Sequence, residues 1–144
     1  MKPRFILETI LYATDLDAAR TFYGDVLGLT LYSEVKGRHI FFALDRQMLL
    51  IFNPDATGHV PVVGALPVPP HGARGPGHVC FTATAEEIEA WRMRLERAGV
   101  AIEADFHWPA KHEDMRGRSI YFRDPAGNSI EFAEARIWGL ESNA

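Results

Sequence analysis

The chain has 144 residues, of which 47% are hydrophobic and 24% charged, values typical of one compact domain or of two small halves sharing a core. The formal net charge of −4 gives no case for a nucleic-acid surface, and no apolar run reaches the roughly 18 residues that a membrane span needs. The single cysteine, Cys80, excludes an internal disulfide and fits a reducing compartment, so we expect a cytoplasmic protein.

The first half of the chain predicts one strand, one helix and three further strands. Residues 5–13 are a strand candidate, and Thr14 or Asp15 then offers an N-cap for a helix over residues 16–27. Gly28 occupies the position at which a C′ glycine ends a helix. The extended segments that follow are residues 29–34, 39–44 and 47–53.

The segment between the two halves, residues 54–76, is rich in proline and glycine. This composition is typical of a linker and predicts neither a helix nor a central strand. A structureless segment of this length is unusual inside a compact domain, so we expect it to cover a site.

The second half repeats the order of the first. Residues 78–84 are a strand candidate, Thr84 and Glu87 match a capping box, and Gly99 ends the helix that follows. The remaining extended segments are residues 100–104, 117–124 and 129–135. Both halves therefore predict the order β-α-β-β-β, and an internal repeat of this kind is strong support for an architecture.

The closing hairpin, residues 121–132, carries the most informative pattern. Its turn contains Asp124, Pro125, Gly127 and Asn128, and the strands on either side alternate in polarity. Four apolar residues share one face, namely Ile120, Phe122, Ile130 and Phe132. Glu131 takes the other face beside Tyr121, and a half-buried carboxylate is costly unless it is paired or bound to a metal.

Three segments together give the chain a family resemblance: residues 15–29 (DLDAARTFYGDVLGL), 77–81 (GHVCF) and 121–132 (YFRDPAGNSIEF). The chain resembles the vicinal oxygen chelate superfamily, which includes glyoxalase I, extradiol dioxygenases, fosfomycin-resistance enzymes and bleomycin-resistance proteins. The resemblance implies an α+β fold in which two βαβββ modules pair into a curled mixed sheet, with the helices outside and a metal-binding cup inside. We expect one domain with modules at 5–53 and 77–135, a linker at 54–76 and a tail at 136–144.

The resemblance also implies a set of metal ligands on the first and last strands of each module. These positions are Glu8, His78 and Glu131, whereas the fourth falls within residues 48–51, where no side chain can bind a metal. One nitrogen and two carboxylates suit a divalent ion such as Ni²⁺, Zn²⁺, Mn²⁺ or Fe²⁺.

The alternative interpretation of the same residues is structural and needs no metal. Glu8 would be an exposed residue on an edge strand, and Glu131 would be paired with Arg118 or Arg123.

Tyr121 is a candidate for substrate binding. If the turn pairs Arg123 with Ser129, Tyr121 lies across from Glu131 and its hydroxyl can reach a ligand or a substrate. The alternative is an aromatic residue that lines the cup without a chemical role.

His39 and Phe41 are the matching candidates in the first module. By the repeat, they correspond to Ser119 and Tyr121, which would place His39 in the cup as a general acid or base. A surface histidine is the alternative. We interpret Phe22, Tyr23, Trp91 and Cys80 as core residues, and His71, His107 and His112 as solvated loop residues.

The function that the resemblance favours is a metal-dependent isomerase or lyase of the glyoxalase type. It would act on a small molecule with vicinal oxygens through an enediolate-type intermediate, with Glu131 or Glu8 moving the proton. The alternatives are an extradiol-type ring-cleaving dioxygenase that uses Fe²⁺, and a metal-free binding protein of the bleomycin-resistance type. Relatives of this kind commonly form dimers, so we expect a homodimer.

Overall fold

The computed structural model describes residues 1–60, 62–109 and 116–140. The chain divides into two compact units, Met1–Gly77 with Pro125–Gly127, and His78–Asp124 with Asn128–Ala144. Each unit contains one four-stranded mixed sheet.

The sheet of the first unit has the strand order β1-β4-β3-β2. Strand β1 runs parallel to β4, whereas the other neighbouring pairs are antiparallel. The elements are β1 (Glu8–Tyr12), α1 (Leu16–Arg20), a π-helical segment (Thr21–Val26), β2 (Thr30–Val35), β3 (His39–Ala43), β4 (Met48–Phe52) and α2 (Pro54–Thr57).

The sheet of the second unit has the equivalent order, β5-β8-β7-β6, again with one parallel pair. The elements are β5 (His78–Thr82), α3 (Ala85–Arg97), β6 (Ile102–His107), β7 (Arg118–Arg123), β8 (Ser129–Ala133) and a 3₁₀ helix (Ala135–Trp138). The predicted α+β class and the two βαβββ modules are confirmed.

Local capping explains where the two main helices begin and end. The Asp15 carboxylate accepts a hydrogen bond from the backbone N–H of Ala18 at 2.9 Å, and Thr84 and Glu87 form the predicted capping box before α3. Gly28 and Gly99 adopt positive φ angles of 76° and 74°, which a residue with a Cβ rarely adopts. The first helix departs from the expected α-helix, because it continues after Arg20 as the π-helical segment.

Alternation along the strands gives the first sheet two different faces. The helix-covered face contacts α1 and the π-helical segment, and Tyr23 packs on Phe42 with ring centroids 5.8 Å apart. The helix-free face of the first sheet, from the strand registers, includes Glu8, Ile10, Tyr12, His39, Phe41, Met48, Leu50 and Phe52.

The second sheet is divided in the same way. The four apolar residues predicted to share a dry face are buried, and Trp91 of α3 stacks on Phe132 with centroids 4.6 Å apart. Trp91 is therefore half-buried at the edge of the core rather than inside it. The helix-free face of the second sheet includes His78, Cys80, Ser119, Tyr121, Ser129 and Glu131.

The turn between β7 and β8 sets the register of the closing hairpin. Asn128 donates from its backbone N–H and its side-chain amide to the two oxygens of Asp124, at 2.8 Å each, and both residues are buried. This turn pairs Arg123 with Ser129, so the predicted pairing is confirmed and Tyr121 lies across from Glu131.

Three expectations about element boundaries are wrong. The linker contains the short helix α2, which the side chain of Asn53 caps by accepting from the N–H of Asp55. Strand β1 begins at Glu8 rather than at residue 5, and β6 continues to His107, which pairs with Arg118 of β7. Within the described ranges, no helix combines the length and the hydropathy required to cross a membrane.

We predict that Asn128→Ala lowers the free energy of unfolding by about 2–4 kcal/mol. The substitution removes the buried hydrogen bond from the side-chain amide to Asp124 Oδ2 and leaves that carboxylate oxygen without this donor, whereas the backbone N–H bond to Oδ1 remains. Urea denaturation measures the loss. Gln47→Ala, at an exposed position before β4, is the control and should change stability by less than about 0.5 kcal/mol. Equal effects of the two substitutions would contradict the role given to the turn.

Candidate functional site

A buried carboxylate, Glu131, lies beside the exposed imidazole of His78 on the helix-free face of the second sheet. Glu131 is 5% exposed, and its Oε2 lies 3.3 Å from His78 Nε2. Its other oxygen, Oε1, is buried and has no hydrogen-bond partner among the described residues. The interpretation that pairs Glu131 with an arginine is wrong, because Arg118 binds Asp105 and Glu89 while Arg123 binds Glu103.

The orientation of His78 follows from its second ring nitrogen. Nδ1 lies 3.0 Å from the carbonyl oxygen of Ser129, and a carbonyl only accepts, so Nδ1 must carry the donated hydrogen. Nε2 of the neutral ring is then a lone pair directed at the Glu131 carboxylate. Two electron-rich atoms at this distance repel each other unless a proton or a cation lies between them.

These two side chains fit a divalent cation. A backbone carbonyl that fixes Nδ1–H and frees Nε2 is the arrangement of most metal-binding histidines. The unpaired Glu131 Oε1 supplies a second donor atom that has no other use within the described residues. No group of three or more histidine, cysteine or acidic residues suited to a metal occurs in residues 1–60, 62–109 and 116–140.

Tyr121 lies beside this pair, as predicted. It is the direct β7 neighbour of Glu131, and its ring stacks on His78 at 6.2 Å and on Phe106 at 5.9 Å. Burial first, and then the Glu131 carboxylate, raise the pKa of the Tyr121 phenol. The phenol stays protonated at neutral pH, and its hydroxyl can donate a hydrogen bond to the Glu131 carboxylate.

Cys80 is not the core residue that we predicted. It is exposed, and it lies on the helix-free face of β5, directly opposite Glu131 on the neighbouring strand β8. Desolvation at the sheet surface, with a further contribution from Glu131, raises the pKa of the thiol to about 12. A thiol that stays protonated is a weak nucleophile and a weak metal ligand.

Glu8 lies on the first sheet and is exposed on the edge strand β1, as the metal-free interpretation holds. Only His78 and Glu131 of the three predicted ligands are therefore brought together within one unit. The register also identifies the missing fourth position. Leu50 pairs with Phe41 in the way that Glu131 pairs with Tyr121, so Leu50 is the apolar counterpart of Glu131.

His39 and Phe41 belong to an aromatic cluster on the helix-free face of the first sheet. Their rings stack with centroids 4.0 Å apart and an angle of 12° between planes. Phe52, the direct neighbour of His39 on β4, meets both rings edge-on. Burial and the charge of Arg38 lower the pKa of His39, whose Nδ1 is buried without a partner among the described residues. His39 is therefore half-buried rather than a surface histidine.

Two further members of this cluster were missed in the sequence. His71 was expected to be a solvated loop residue, but it is half-buried and meets Phe52 edge-on at 4.7 Å. Its Nδ1 is hydrogen-bonded to the Tyr12 hydroxyl at 2.8 Å. Tyr12 could have been found from strand alternation, since it shares a face with Glu8, whereas nothing in a proline-rich linker marks His71. Of the other predicted loop histidines, His107 is exposed and His112 lies outside the described residues.

Two cavities in the first unit follow the linker rather than the predicted ligands. They measure about 580 and 490 Å³ and share His59 and His71 in their walls. None of Glu8, His78 and Glu131 lines either of them.

Comparison with known proteins decides the family. The sequence profile of the Glyoxalase/Bleomycin resistance protein/Dioxygenase superfamily matches residues 6–132. The chain belongs to this superfamily.

Two relatives are more than 30% identical to this chain, and a third is similar in fold. The structure of lactoylglutathione lyase from Agrobacterium tumefaciens has 42% identity and a TM-score of 0.89, covering 97% of this chain and 100% of that chain. "Glutathione transferase FosA" of Serratia marcescens is 31% identical over 121 residues, which are 84% of this chain and 74% of that protein. A superfamily structure from Nocardioides, with 22% identity and a TM-score of 0.66 over 100% of this chain and 88% of that one, supports the fold alone.

We predict that Glu131→Gln raises the free energy of unfolding by about 1–2 kcal/mol in the presence of a chelator at pH 8. The substitution removes a buried charge that has one unpaired oxygen and faces an imidazole lone pair. Urea denaturation measures the change.

Glu134→Gln is the matched control for this prediction. Glu134 is also buried, but its two oxygens accept from the Arg118 backbone N–H at 2.8 Å and pair with Arg136 at 2.9 Å. We expect this substitution to destabilise by about 1–2 kcal/mol. A Glu131→Gln protein that is less stable than wild type under chelation would mean that the carboxylate is satisfied without a cation.

Proposed function

We propose that the chain is a metal-dependent enzyme of the glyoxalase type, a lyase or isomerase that acts on a small molecule with two adjacent oxygens. The observation that carries this proposal is the Glu131 carboxylate, which is buried beside His78 with one oxygen unpaired. Polar atoms are buried unsatisfied mainly where a ligand or a function uses them. Relatives that are named as a lyase and a transferase support an enzyme over a structural role.

His78, Glu131 and Glu8 would hold the ion. A bound divalent cation would supply Lewis-acid stabilisation of the negative charge that develops on two adjacent substrate oxygens, as in an enediolate. His78 contributes Nε2, and its Nδ1–H bond to the Ser129 carbonyl keeps the ring in that orientation. Glu8 is the third donor, and its exposed position on an edge strand leaves its carboxylate accessible.

Glu131 is the preferred proton carrier, with Glu8 as the second candidate. One of its oxygens faces His78, and the other has no partner. The same side chain can therefore bind the ion through one oxygen and accept a proton on the other. The protonated phenol of Tyr121, opposite Glu131, can donate to a substrate oxygen. His39 and Phe41 are proposed to contact the substrate from the first sheet.

The missing fourth ligand is a difference from four-ligand sites that bears on whether the substrate of a relative applies to this chain. Leu50 occupies the position that matches Glu131, so the ion would have fewer protein donors than a four-ligand site and more positions for water or substrate. The name lactoylglutathione lyase of one relative therefore makes the hemithioacetal of glutathione a compound to test, and we do not assign it as the substrate.

The dioxygenase alternative has weaker support from the ligand set. Iron sites of ring-cleaving enzymes use two histidines and one carboxylate, whereas the set proposed here is His78 with Glu8 and Glu131. The metal-free alternative is favoured by a specific observation, the aromatic cluster around Phe41, which is suited to a flat ligand.

We also propose that the protein works as a homodimer. Phe5, Ile6 and Leu7 are largely exposed immediately before the edge strand β1. Exposed apolar residues next to the edge strand of a sheet are typical of surfaces that pair with another chain. Light scattering coupled to size exclusion would measure the mass.

We predict that the purified protein binds about one Mn²⁺, Ni²⁺ or Zn²⁺ ion per chain, and that Glu131→Ala and His78→Ala each weaken binding about 100-fold or more. Each substitution removes one of two donors that the fold holds together. Titration calorimetry of chelator-treated protein measures the affinity. His107→Ala, at an exposed histidine on β6, is the control and should bind like wild type. Failure of the wild type to bind any of these ions would leave the metal-free binding protein as the function.

We predict further that the metal-loaded protein exchanges deuterium from D₂O into the carbon next to the carbonyl of a hemithioacetal or α-hydroxy ketone. Glu131→Gln should slow this exchange about 10²–10⁴-fold, since it removes the proton carrier. NMR follows the exchange, and Glu103→Gln, an exposed glutamate on β6, is the control. Oxygen uptake by the iron-loaded protein with catechols, without exchange, would instead identify the dioxygenase.

A further inference from the structure

We propose that the helix-free face of the first sheet binds a flat aromatic ring that carries a hydrogen-bonding atom. The site is the aromatic recess, formed by Tyr12, His39, Phe41, Phe52 and His71. This binding needs no metal, and it deepens the proposed contact of His39 and Phe41 with the substrate by naming the chemical class of the group that they hold.

The stacking surface of the aromatic recess is already organised. His39 and Phe41 stand two residues apart on β3 and stack nearly parallel at 4.0 Å, so each ring covers one face of the other and a further ring can stack only on the outer side of the pair. Phe52 is 8% exposed and forms a floor that meets both rings edge-on. Part of the ring pair remains accessible, since both His39 and Phe41 are only partly buried. A planar ligand gains from stacking here without any rearrangement of the ring pair.

His71 closes the opposite side of the aromatic recess and is fixed in place twice. Its backbone N–H donates to the Thr57 carbonyl at 3.0 Å, and its ring is hydrogen-bonded to the Tyr12 hydroxyl at 2.8 Å. These two hydrogen bonds hold His71 against the sheet although it belongs to the linker. His71 also lines the 490 Å³ cavity, whose wall includes none of the other four residues of the aromatic recess.

One polar atom in the aromatic recess has no partner. His39 Nδ1 is buried and makes no hydrogen bond to any described residue. The neighbouring imidazole, His71, has a hydrogen-bond partner for its Nδ1, so the aromatic surroundings by themselves do not prevent an imidazole nitrogen from being paired. Burial and Arg38 favour the neutral ring, which presents one donor and one acceptor nitrogen. A heteroatom on the bound ring would complete the bonding of His39.

The position of Glu8 on the same face suggests the shape of the whole substrate, a step that rests on the proposed function. Glu8, Ile10 and Tyr12 are successive residues of that face, in rows with Met48, Leu50 and Phe52. The row of Glu8 and the row of Tyr12 are roughly 13 Å apart along the strand, and neighbouring rows are about 7 Å apart. The row between them is apolar. We therefore infer a substrate with a metal-binding pair of oxygens, an apolar spacer and a flat heteroaromatic ring.

The first test uses benzimidazole, a flat probe with a donor and an acceptor nitrogen, and naphthalene, a flat probe with neither. Chelator-treated protein with labelled histidine side chains is titrated and followed by NMR. Benzimidazole should shift the imidazole signals of His39 and His71 and leave that of His107 in place.

Two variants separate stacking from hydrogen bonding. His39→Phe keeps a ring and removes the polar atom, so it should weaken benzimidazole binding about 3- to 10-fold and change naphthalene binding by less than about 2-fold. Phe41→Leu should weaken both probes. His107→Phe is the matched control and should leave both affinities at the wild-type values. Absence of binding, or binding that neither His39→Phe nor Phe41→Leu alters, would overturn the proposal.

The second test addresses the inferred spacer. Benzimidazole joined to a hydroxamate, which chelates through two adjacent oxygens, is prepared with alkyl chains of increasing length and titrated into Mn²⁺-loaded protein. Affinity should pass through a maximum at an intermediate length, because only then do both ends bind at once. Affinity that is independent of chain length would overturn the inferred substrate shape.

The two proposals fail separately. Loss of metal binding in the wild type with benzimidazole still bound would remove the proposed enzyme and leave the aromatic recess as a ligand site. Metal binding without a shift of the His39 signal would remove the aromatic recess as a ligand site and leave the proposed enzyme.

Discussion

The register between β7 and β8 is the constraint on which the candidate site depends. Asp124 and Asn128 hold the turn by paired hydrogen bonds, and this turn places Tyr121 opposite Glu131. Because side chains alternate along a strand, a slip of one residue would move Glu131 to the helix-covered face and bring Ile130 out of the core. The buried turn therefore does more than connect two strands. It decides which face receives the carboxylate.

The cost of that placement distinguishes Glu131 from its neighbour Glu134. Both carboxylates are buried, yet Glu134 has a partner for each oxygen while Glu131 keeps one oxygen unpaired beside the lone pair of His78. The arginine that satisfies other acids nearby, Arg118, is held by Asp105 and Glu89. A fold that satisfies both oxygens of one buried carboxylate and leaves one oxygen of a second without a partner is typical of a site kept ready for a ligand.

The internal repeat gives the same framework two different surfaces. Where the second sheet carries Glu131 and Tyr121, the matching positions of the first sheet are Leu50 and Phe41. The helix-free face of the second sheet is accordingly polar, whereas that of the first sheet is aromatic with an unpaired imidazole nitrogen. The two halves of a repeated module can diverge in this way because alternation leaves the helix-covered core unchanged when the other face is substituted.

The amino-acid sequence by itself determined the order of elements, the caps of both helices, the repeat and the face on which Glu131 lies. These features follow from turn chemistry and from the periods of helices and strands, which are local properties of the chain. Only the tertiary structure decided that Arg118 pairs elsewhere, that Cys80 lies across from Glu131 and that His71 is fixed by Tyr12. Each of these contacts joins segments far apart in the sequence, and which side chains meet there depends on how the strands and the linker are placed, which no local pattern specifies.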